Sequence, residues 1–403
     1  MPVTPPTAHA EDRPQLAAAA RAADEPVYAS GAHPAGSAVP VGPAASSTGG
    51  HDPAGASRPS GVPTAATCRA GAPAAPSPSP DSSEPSCSEP PARTSWLVRR
   101  PRRSTLVSFE VFPPRPTADP DTVWRSIDAM AQAGPDFFSV THGHSGGRGV
   151  SREALRHLRR TTRTPVMAHF TCGGTDRAGL ERSVEQLLDD GVRDLLALRG
   201  DPPLGTGQWR TPPGGIGRAS ELVRLIRDVE RRRFGDGFRP GTRPLSVSVA
   251  CYPSPARGRD PEADLASLWE KQEAGADYAI TQVLYEPEDY ASFLERARSE
   301  GIHIPVVAGL MPLTTPKRLQ RMTEITGVPV PERLTRFLTA GSPEELRHRG
   351  TAATLSLIDD LLDLGCAGFH LYTFNRPDAA LTILEHLRVR DAAREYRGRS
   401  PAA

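Results

Sequence analysis

The sequence lacks a surplus of charge of either sign. Its 403 residues include 48 lysines and arginines and 47 aspartates and glutamates, which gives a net charge of +1. Such a balance produces no electric field that would gather nucleic acid or an anionic membrane surface, so we expect neither partner. No apolar run reaches the length of a membrane span, which argues against an integral membrane protein.

Metal-binding and dithiol patterns are also missing. None of the five cysteines has the Cys-X-X-Cys spacing of a zinc knuckle or a redox dithiol. His142 and His144 have no carboxylate or cysteine at a supporting distance along the chain, so no metal site is predicted. The N-terminus lacks the basic region and apolar core of a secretory signal. We therefore expect a cytoplasmic protein with reduced thiols.

Large aliphatic residues are scarce in the first quarter of the chain. Residues 1–95 consist mainly of Ala, Pro, Ser and Gly. A segment of this composition cannot bury enough apolar surface to offset the entropy lost on ordering, so we predict a disordered tail. Residues 96–103 contain four arginines and are predicted to be a basic linker.

From Thr105 onward, short apolar runs alternate with helical patterns. Eight strand–helix units follow one another, which predicts a parallel sheet with helical crossovers. Eight units over residues 104–390 favour a closed (β/α)8 TIM barrel, followed by a C-terminal tail over 391–403. An open Rossmann or flavodoxin-like sheet is the alternative, but no Gly-X-Gly-X-X-Gly follows the first strand. The predicted strands are Leu106–Phe112, Phe137–Thr141, Pro165–Thr171, Asp194–Arg199, Leu245–Ala250, Tyr278–Leu284, Pro305–Leu310 and Phe369–Thr373.

Polar residues close or follow most of these strands. In a TIM barrel the active site lies at the carboxyl ends of the strands, so these residues are the candidates for it. A barrel strand is usually buried on both faces, and a lone carboxylate such as Glu110 is costly there. That favours a functional role over an outward position paired to a helix arginine. His169 is either a core histidine or a site residue. Arg199 emerges from an apolar strand, which favours an anionic partner over a plain turn.

Seven sequence motifs lie on the predicted strands. They are Ser108–Arg115, Phe138–Gly143, Ala168–Cys172, Leu196–Pro203, Val247–Pro253, Lys271–Gln282 and His370–Arg376. In this order they resemble the methylenetetrahydrofolate reductase family from Ser108 to about Leu387, and residues 1–95 are outside the resemblance. One motif alone would be weak evidence, whereas seven in the family order are specific.

The resemblance implies a flavin-dependent reductase of one-carbon metabolism that supports methionine supply. FAD would take hydride from NADH or NADPH and pass it to 5,10-methylenetetrahydrofolate, giving 5-methyltetrahydrofolate. Glu110 matches the general acid, which protonates the leaving nitrogen as the methylene bridge opens. Asp201 matches the carboxylate between folate and flavin, and is the second catalytic position.

The resemblance also assigns binding positions. The positions matching FAD contacts are Thr141, His142, His169, Arg199, Gly200, Asp201, Tyr252, Asp264 and Lys271. Glu110, Gln282 and Arg376 match substrate positions, and Arg376 would pair with a folate carboxylate. Arg199 and Lys271 would offer positive charge to the pyrophosphate or to a reduced, anionic flavin.

The sequence departs from the family pattern at several places. His142 replaces a tyrosine beside the flavin, and the loop from Ser254 to Arg257 lacks the usual histidine and is one residue shorter. Arg318 and Met322 replace a glutamine and a phenylalanine near the folate. Three alternatives therefore stay open: a specialised reductase of a related one-carbon carrier, a flavin-independent reductase, and a non-catalytic folate-binding barrel. The sequence also leaves open whether the protein forms a homo-oligomer.

Overall fold

Eight parallel strands form the centre of the fold. The computed structural model describes residues 94–99, 104–114, 118–142, 147–201, 209–238 and 243–399. Each strand pairs with the next in chain order, and the eighth pairs with the first, so the sheet is a closed barrel. The predicted (β/α)8 barrel is confirmed, and the open-sheet alternative is wrong. The predicted disordered tail lies outside the described residues, except for its last two positions.

The strands are almost completely buried because helices cover the outer face and side chains fill the interior. Apart from Thr171, every strand residue is buried. The strands are β1 (Val107–Val111), β2 (Phe137–Val140), β3 (Val166–Thr171), β4 (Asp194–Leu198), β5 (Ser246–Cys251), β6 (Tyr278–Val283), β7 (Val306–Leu310) and β8 (Phe369–Tyr372).

Helices connect the strands, and their ends carry the expected signals. Asp119 caps α2 by accepting from two backbone N–H groups, and Gly134 ends it at a φ of 66°. Six of these helices begin with proline in the first turn, where its missing N–H is harmless. The described helices are α1 (Thr94–Arg99), α2 (Pro120–Ala133), α3 (Gly147–Thr161), α4 (Arg177–Asp189), α5 (Ala219–Phe234), α6 (Pro261–Glu273), α7 (Pro287–Ser299), α8 (Pro316–Thr326), α9 (Glu332–Phe337), α10 (Pro343–Asp363) and α11 (Pro377–Arg399).

The barrel interior has an apolar lower part and a polar upper part. An interior cluster of apolar side chains includes Leu106 immediately before β1, Phe137 of β2 and Met167 of β3. Side chains alternate along a strand, so the residues two and four positions further on also face inward. On β1 these are Ser108 and Glu110, both buried. Polar side chains therefore enter the interior close to the carboxyl ends of the strands.

The short helix α1 lies across the amino ends of the strands. Its Thr94 N–H and hydroxyl both donate to Asp194, the first residue of β4, at 2.9 Å. The Tyr278 hydroxyl at the start of β6 donates to the Thr94 hydroxyl at 3.0 Å. The Ser95 N–H donates to the hydroxyl of Ser246, the first residue of β5, at 3.0 Å, and this hydroxyl donates to the Ser95 hydroxyl at 2.6 Å. The predicted boundary between tail and linker at residue 95 thus falls inside a helix that is packed on the barrel.

The last helix extends beyond the predicted end of the barrel. We expected a C-terminal tail from residue 391, whereas α11 runs to Arg399. Asp391 is buried and accepts from the backbone N–H of Thr105 at 2.6 Å and from its hydroxyl at 3.0 Å. These bonds fix the C-terminal helix to the chain just before β1. The predicted domain end at 390 therefore moves to 399.

Candidate active site

A buried carboxylate faces two histidines inside the barrel. Glu110 of β1 is 3% exposed, and its Oε2 lies 3.5 Å from Nε2 of His169 and 3.8 Å from Nε2 of His370. Oε2 has no hydrogen-bond partner among the described residues, and neither has Nε2 of His370. A buried polar atom left unpaired costs free energy, so this arrangement suits a bound ligand with hydrogen-bonding groups.

Serines hold the two histidine rings. The Ser139 hydroxyl of β2 lies 2.5 Å from Nε2 of His169, and the Ser108 hydroxyl of β1 lies 2.7 Å from Nδ1 of His370. Burial, with smaller contributions from the nearby charges of His370 and His142, lowers the pKa of His169 to about 3. His169 is therefore neutral at pH 7, and it does not pair with Glu110 as a cation.

The segment that follows β4 contributes a cation to the same end of the barrel. Arg199 is buried, and its guanidinium carbon lies 5.6 Å from the centroid of the Trp209 ring. Gly200 follows with a φ of +90°, and a Cβ there would lie 3.1 Å from Cβ of Thr171. Glycine is required at this turn for both reasons. Asp201 comes next, immediately before residues outside the described part of the chain.

The loop after β5 and helix α6 form a second polar cluster. The Arg259 guanidinium carbon lies 3.5 Å from the centroid of the Tyr252 ring, and Arg259 Nε donates to Asp264 at 2.9 Å. Burial raises the pKa of Asp264, against the effect of Arg259. Lys271 Nζ donates to the Ala250 carbonyl at 3.2 Å and lies 5.9 Å from the Tyr252 ring.

Strands β6 and β8 carry the two remaining predicted residues. Gln282 is buried, and its Oε1 accepts from the Val283 N–H at 2.8 Å. Arg376 follows β8 and is exposed. Asn375, at a φ of 54°, exchanges two hydrogen bonds with the backbone of Phe112 after β1. This bond pair fixes the loop that carries Arg376 beside the loop after β1.

The predicted residues do not all meet in one place. Glu110 and His169 are in contact, and Tyr252 and Lys271 are neighbours in the cluster beside α6. Thr141 is buried directly after β2, and its hydroxyl has no hydrogen-bond partner among the described residues. His142 follows it and is partly exposed, and His144 lies outside the described residues.

Sequence reasoning missed several residues that the structure brings to the site. Those on the strands could have been identified from the sequence, because inward positions alternate along a strand and polar residues occupy these positions near the carboxyl ends. No comparable signal marks the loop residues, whose contacts depend on the path of the backbone. The missed residues are Ser108, Ser139, His370, Trp209 and Arg259.

The described residues contain neither a metal-binding cluster nor a membrane-spanning helix. No group of three or more His, Cys, Asp or Glu side chains is placed to hold a metal ion within the ranges that the structure covers. No helix in these ranges is long and apolar enough to cross a membrane.

Comparison with known proteins gives a consistent family. The model of the family "Methylenetetrahydrofolate reductase" matches residues 97–388. A 5,10-methylenetetrahydrofolate reductase of Pectobacterium carotovorum is 33% identical over 293 residues, which are 72% of this chain and 92% of that protein. Methylenetetrahydrofolate reductase 2 of Schizosaccharomyces pombe is 32% identical over 304 residues, covering 71% of this chain. The chain spans 46% of the yeast protein's length.

A solved structure supports the fold. It is an uncharacterized protein from Clostridium thermocellum that binds two copies of 5-methyl-5,6,7,8-tetrahydrofolic acid. The alignment covers 73% of this chain and 98% of that one, with a TM-score of 0.51 and 13% sequence identity. At this identity the likeness concerns the barrel architecture alone.

Proposed function

The chain belongs to the methylenetetrahydrofolate reductase family, and we propose that it reduces 5,10-methylenetetrahydrofolate to 5-methyltetrahydrofolate with NADH or NADPH as the electron donor. The observation that carries this proposal is the buried Glu110 carboxylate, which faces the barrel interior with Oε2 unpaired among the described residues. The 5-methyltetrahydrofolate would supply methyl groups for methionine synthesis.

Glu110 would be the proton donor to the folate. The methylene bridge must open to an electrophilic iminium before hydride can attack, and protonation of the leaving nitrogen assists that opening. Because His169 is neutral at pH 7, it does not form an ion pair with the neighbouring Glu110 carboxyl group. His370, braced by Ser108, presents its Nε2 to the same oxygen at 3.8 Å. The two imidazoles would restrict the position of the acid, because they lie 3.5 and 3.8 Å from Oε2.

The residues at the carboxyl end of the barrel fit FAD in their chemistry. Arg199 and Lys271 are buried cations, suited to a pyrophosphate or an anionic flavin ring. The buried Thr141 hydroxyl has no hydrogen-bond partner among the described residues, so it is ready to contact a ligand. Gly200 and Asp201 would line the same face, with Asp201 between folate and flavin. When bound, FAD supplies the chemistry of accepting and giving a hydride.

Gln282 and Arg376 would bind the folate. Gln282 is buried on β6, and its amide can read the hydrogen-bonding edge of a pterin. Arg376 is exposed beside the site and suits a carboxylate of the glutamate tail. Arg318 lies close enough for the charge of Arg376 to lower the Arg318 pKa, together with the larger effect of burial. Two adjacent cations favour an anionic tail at this position.

One observation favours a second candidate, a reductase of the same carrier that works without a bound flavin. Tyr252 and Asp264 match FAD-contact positions, yet Arg259 of the same chain occupies both in this structure. In that case hydride would pass directly from the nicotinamide to the iminium, and Glu110 would keep its role.

An assay and a spectrum test the proposal together. The purified full-length protein is mixed with 5,10-methylenetetrahydrofolate and either NADH or NADPH, and nucleotide oxidation is followed with and without added FAD. An absorbance band at about 450 nm, where oxidised flavins absorb, would support the FAD-dependent form. Folate-dependent turnover of a colourless protein that FAD does not stimulate would select the second candidate. No folate-dependent oxidation under any of these conditions would reject both.

A further inference from the structure

Arg259 covers one face of the Tyr252 ring. Its guanidinium carbon lies 3.5 Å from the ring centroid, the separation of a stacked cation–π pair. A planar guanidinium stacked on a tyrosine occupies the surface that a flat aromatic ligand group would use. The covered face of Tyr252 is therefore closed to a ligand as long as Arg259 stays in place.

The same arginine also occupies the Asp264 carboxylate. Arg259 Nε donates to one carboxylate oxygen at 2.9 Å, and Nη2 donates to the other, so the pair is bidentate. Both side chains are 6% exposed. A charge-assisted bidentate bond with little access to solvent is among the stronger pairings that a side chain makes. Arg259 thus occupies one acceptor site on each oxygen of Asp264, and a ligand hydroxyl that needs either of these sites has to displace it.

These two contacts coincide with two positions that the family resemblance assigns to the flavin cofactor. We propose that Arg259 is an internal competitor of the dinucleotide, which must displace Arg259 from Tyr252 and Asp264 before it binds. This inference rests on the proposed function, since it concerns the FAD site of that reaction. It makes Arg259 a residue that sets cofactor affinity rather than one that holds the cofactor.

The loop around Arg259 allows such a displacement. Gly258 precedes Arg259 at a φ of +78°, which only glycine adopts without strain, and it lies at the surface together with Arg257. Asp260 follows and caps α6 by accepting from the Glu262 N–H, so the helix start stays fixed. The backbone N–H of Arg259 donates to the Ala256 carbonyl at 3.2 Å, so the displacement we propose needs a rotation of the side chain and no change of the backbone. Rotation of its side chain towards solvent leaves Asp264 in place.

Flavin titration of the full-length apoprotein tests the competition. FAD is added to the wild type and to Arg259→Ala, and the dissociation constant is measured by quenching of flavin fluorescence. Removing the competitor should tighten FAD binding roughly tenfold, the size expected for a lost stack and ion pair. Arg259→Lys keeps the charge but loses the planar stack, so its affinity should fall between the two.

Arg257→Ala is the matched control, because it removes an exposed arginine of the same loop. Its FAD affinity should equal that of the wild type, and thermal melting of each apoprotein shows which variants fold. Weaker FAD binding by Arg259→Ala would overturn the proposal, because Arg259 would then be a ligand of the cofactor. Equal affinity with a lower melting temperature would also overturn it and make the residue a structural brace.

The outcome can be separated from that of the proposed function. If the wild type reduces methylenetetrahydrofolate without FAD and only Arg259→Ala binds the flavin, the competition holds and the flavin-free candidate is selected. If the wild type has no folate-dependent activity but Arg259→Ala binds FAD more tightly, the competition survives while the proposed substrate fails. If neither protein binds FAD, the competition is rejected whatever the activity.

Discussion

Buried polar groups are hydrogen-bonded at the amino end of the barrel, whereas several of them are unpaired among the described residues at the carboxyl end. At the amino end, Asp194 accepts two hydrogen bonds from Thr94, and Tyr278 donates to the Thr94 hydroxyl. At the carboxyl end, several buried side-chain atoms have no hydrogen-bond partner among the described residues, and Glu110 Oε2, Thr141 Oγ1 and His370 Nε2 are among them. Folded proteins rarely leave buried polar atoms unpaired without a reason, and a ligand is the simplest one here.

The buried charges nearest the strands also differ between the two ends, although the loop after β5 carries a buried ion pair of its own, Arg259–Asp264. Near the amino ends of β5 and β6, Arg227 donates to Asp277 at 2.6 Å and to Glu230 at 2.7 Å, and all three side chains are almost completely buried. At the other end Glu110 faces His169, which burial keeps neutral. The comparison indicates that the paired groups at the amino end stabilise the fold, whereas the carboxyl end is where the active site of a TIM barrel is expected.

The largest effect should come from removing the transferable proton at the carboxyl end. Glu110→Gln keeps the shape of the side chain, and the folate step should slow by roughly 10²- to 10⁴-fold, the usual contribution of general-acid catalysis. Oxidation of NAD(P)H by an artificial electron acceptor needs no proton at a bridge nitrogen and should slow far less. Steady-state rates with folate and with the artificial acceptor, measured on one preparation, check the split.

A buried carboxylate of the amino end provides the matched control. Glu230→Gln changes a side chain of similar burial, whose oxygens accept from Arg227 and from the Leu245 N–H. It should lower stability and leave the ratio of the two rates unchanged. Equal slowing of both reactions in Glu110→Gln would mean that Glu110 supports the fold, and the contrast between the two ends would lose its main support.

The second largest effect is a loss of stability at the amino end. Arg227→Ala removes the cation that the buried Asp277 and Glu230 share and leaves Glu230 with the more exposed Arg243 at 3.7 Å, which should lower the free energy of unfolding by about 3–5 kcal/mol. Urea denaturation measures the loss. Arg231→Ala breaks an exposed pair with Asp228 and should cost about 0–1 kcal/mol. Similar losses in the two variants would show that burial of the ion pairs does not decide their contribution.

Much of the fold was predictable from the sequence because its signals are local. Alternating apolar runs and capped helices repeat eight times, and closure follows from their number. Helix α1 was not predictable in this way, since six residues with no periodicity resemble a linker. It forms because Thr94 and Ser95 make hydrogen bonds to strand residues that lie between 100 and 184 positions further along the chain.

The candidate site was only partly predictable for the same physical reason. Glu110 is conspicuous in the sequence as a carboxylate within an apolar strand. Its partner His370 lies 260 residues further on, and their proximity depends on closure between β1 and β8. The stacking of Arg259 on Tyr252 depends on the backbone path of one loop, which residue types alone do not specify.

A third prediction is that acid destabilises the protein through His169, a buried residue at the carboxyl end. The pKa of His169 falls from 6.5 to about 3 on folding, so the unfolded chain binds a proton over this range and the folded chain does not. The stability that depends on neutral His169 is complete above pH 6.5 and decreases as the pH falls towards 3. Between pH 7 and pH 5 the loss from this group is about 2 kcal/mol.

Urea denaturation at the two pH values checks the sign. His169→Asn cannot bind the proton and should lose about 2 kcal/mol less than the wild type between pH 7 and pH 5. His303→Asn changes an exposed histidine and should follow the wild type. An unchanged pH dependence in His169→Asn would place the acid sensitivity elsewhere in the protein.

The smallest effect is expected from the segment before the amino end of the barrel. Deleting residues 2–92 should change the free energy of unfolding and the folate-dependent rate by little, because the segment has few core-forming residues and all matched motifs follow it.

The sequence placed the end of this dispensable part at residue 95, but Thr94 and Ser95 are buried and make hydrogen bonds to the strands. Thr94→Val, which removes the hydroxyl that pairs Asp194 with Tyr278, should therefore cost about 1–3 kcal/mol. Urea denaturation of both variants compares them on one scale. A deletion that costs as much as Thr94→Val would show that residues 2–92 also pack on the barrel, and the boundary would have to move towards the N-terminus.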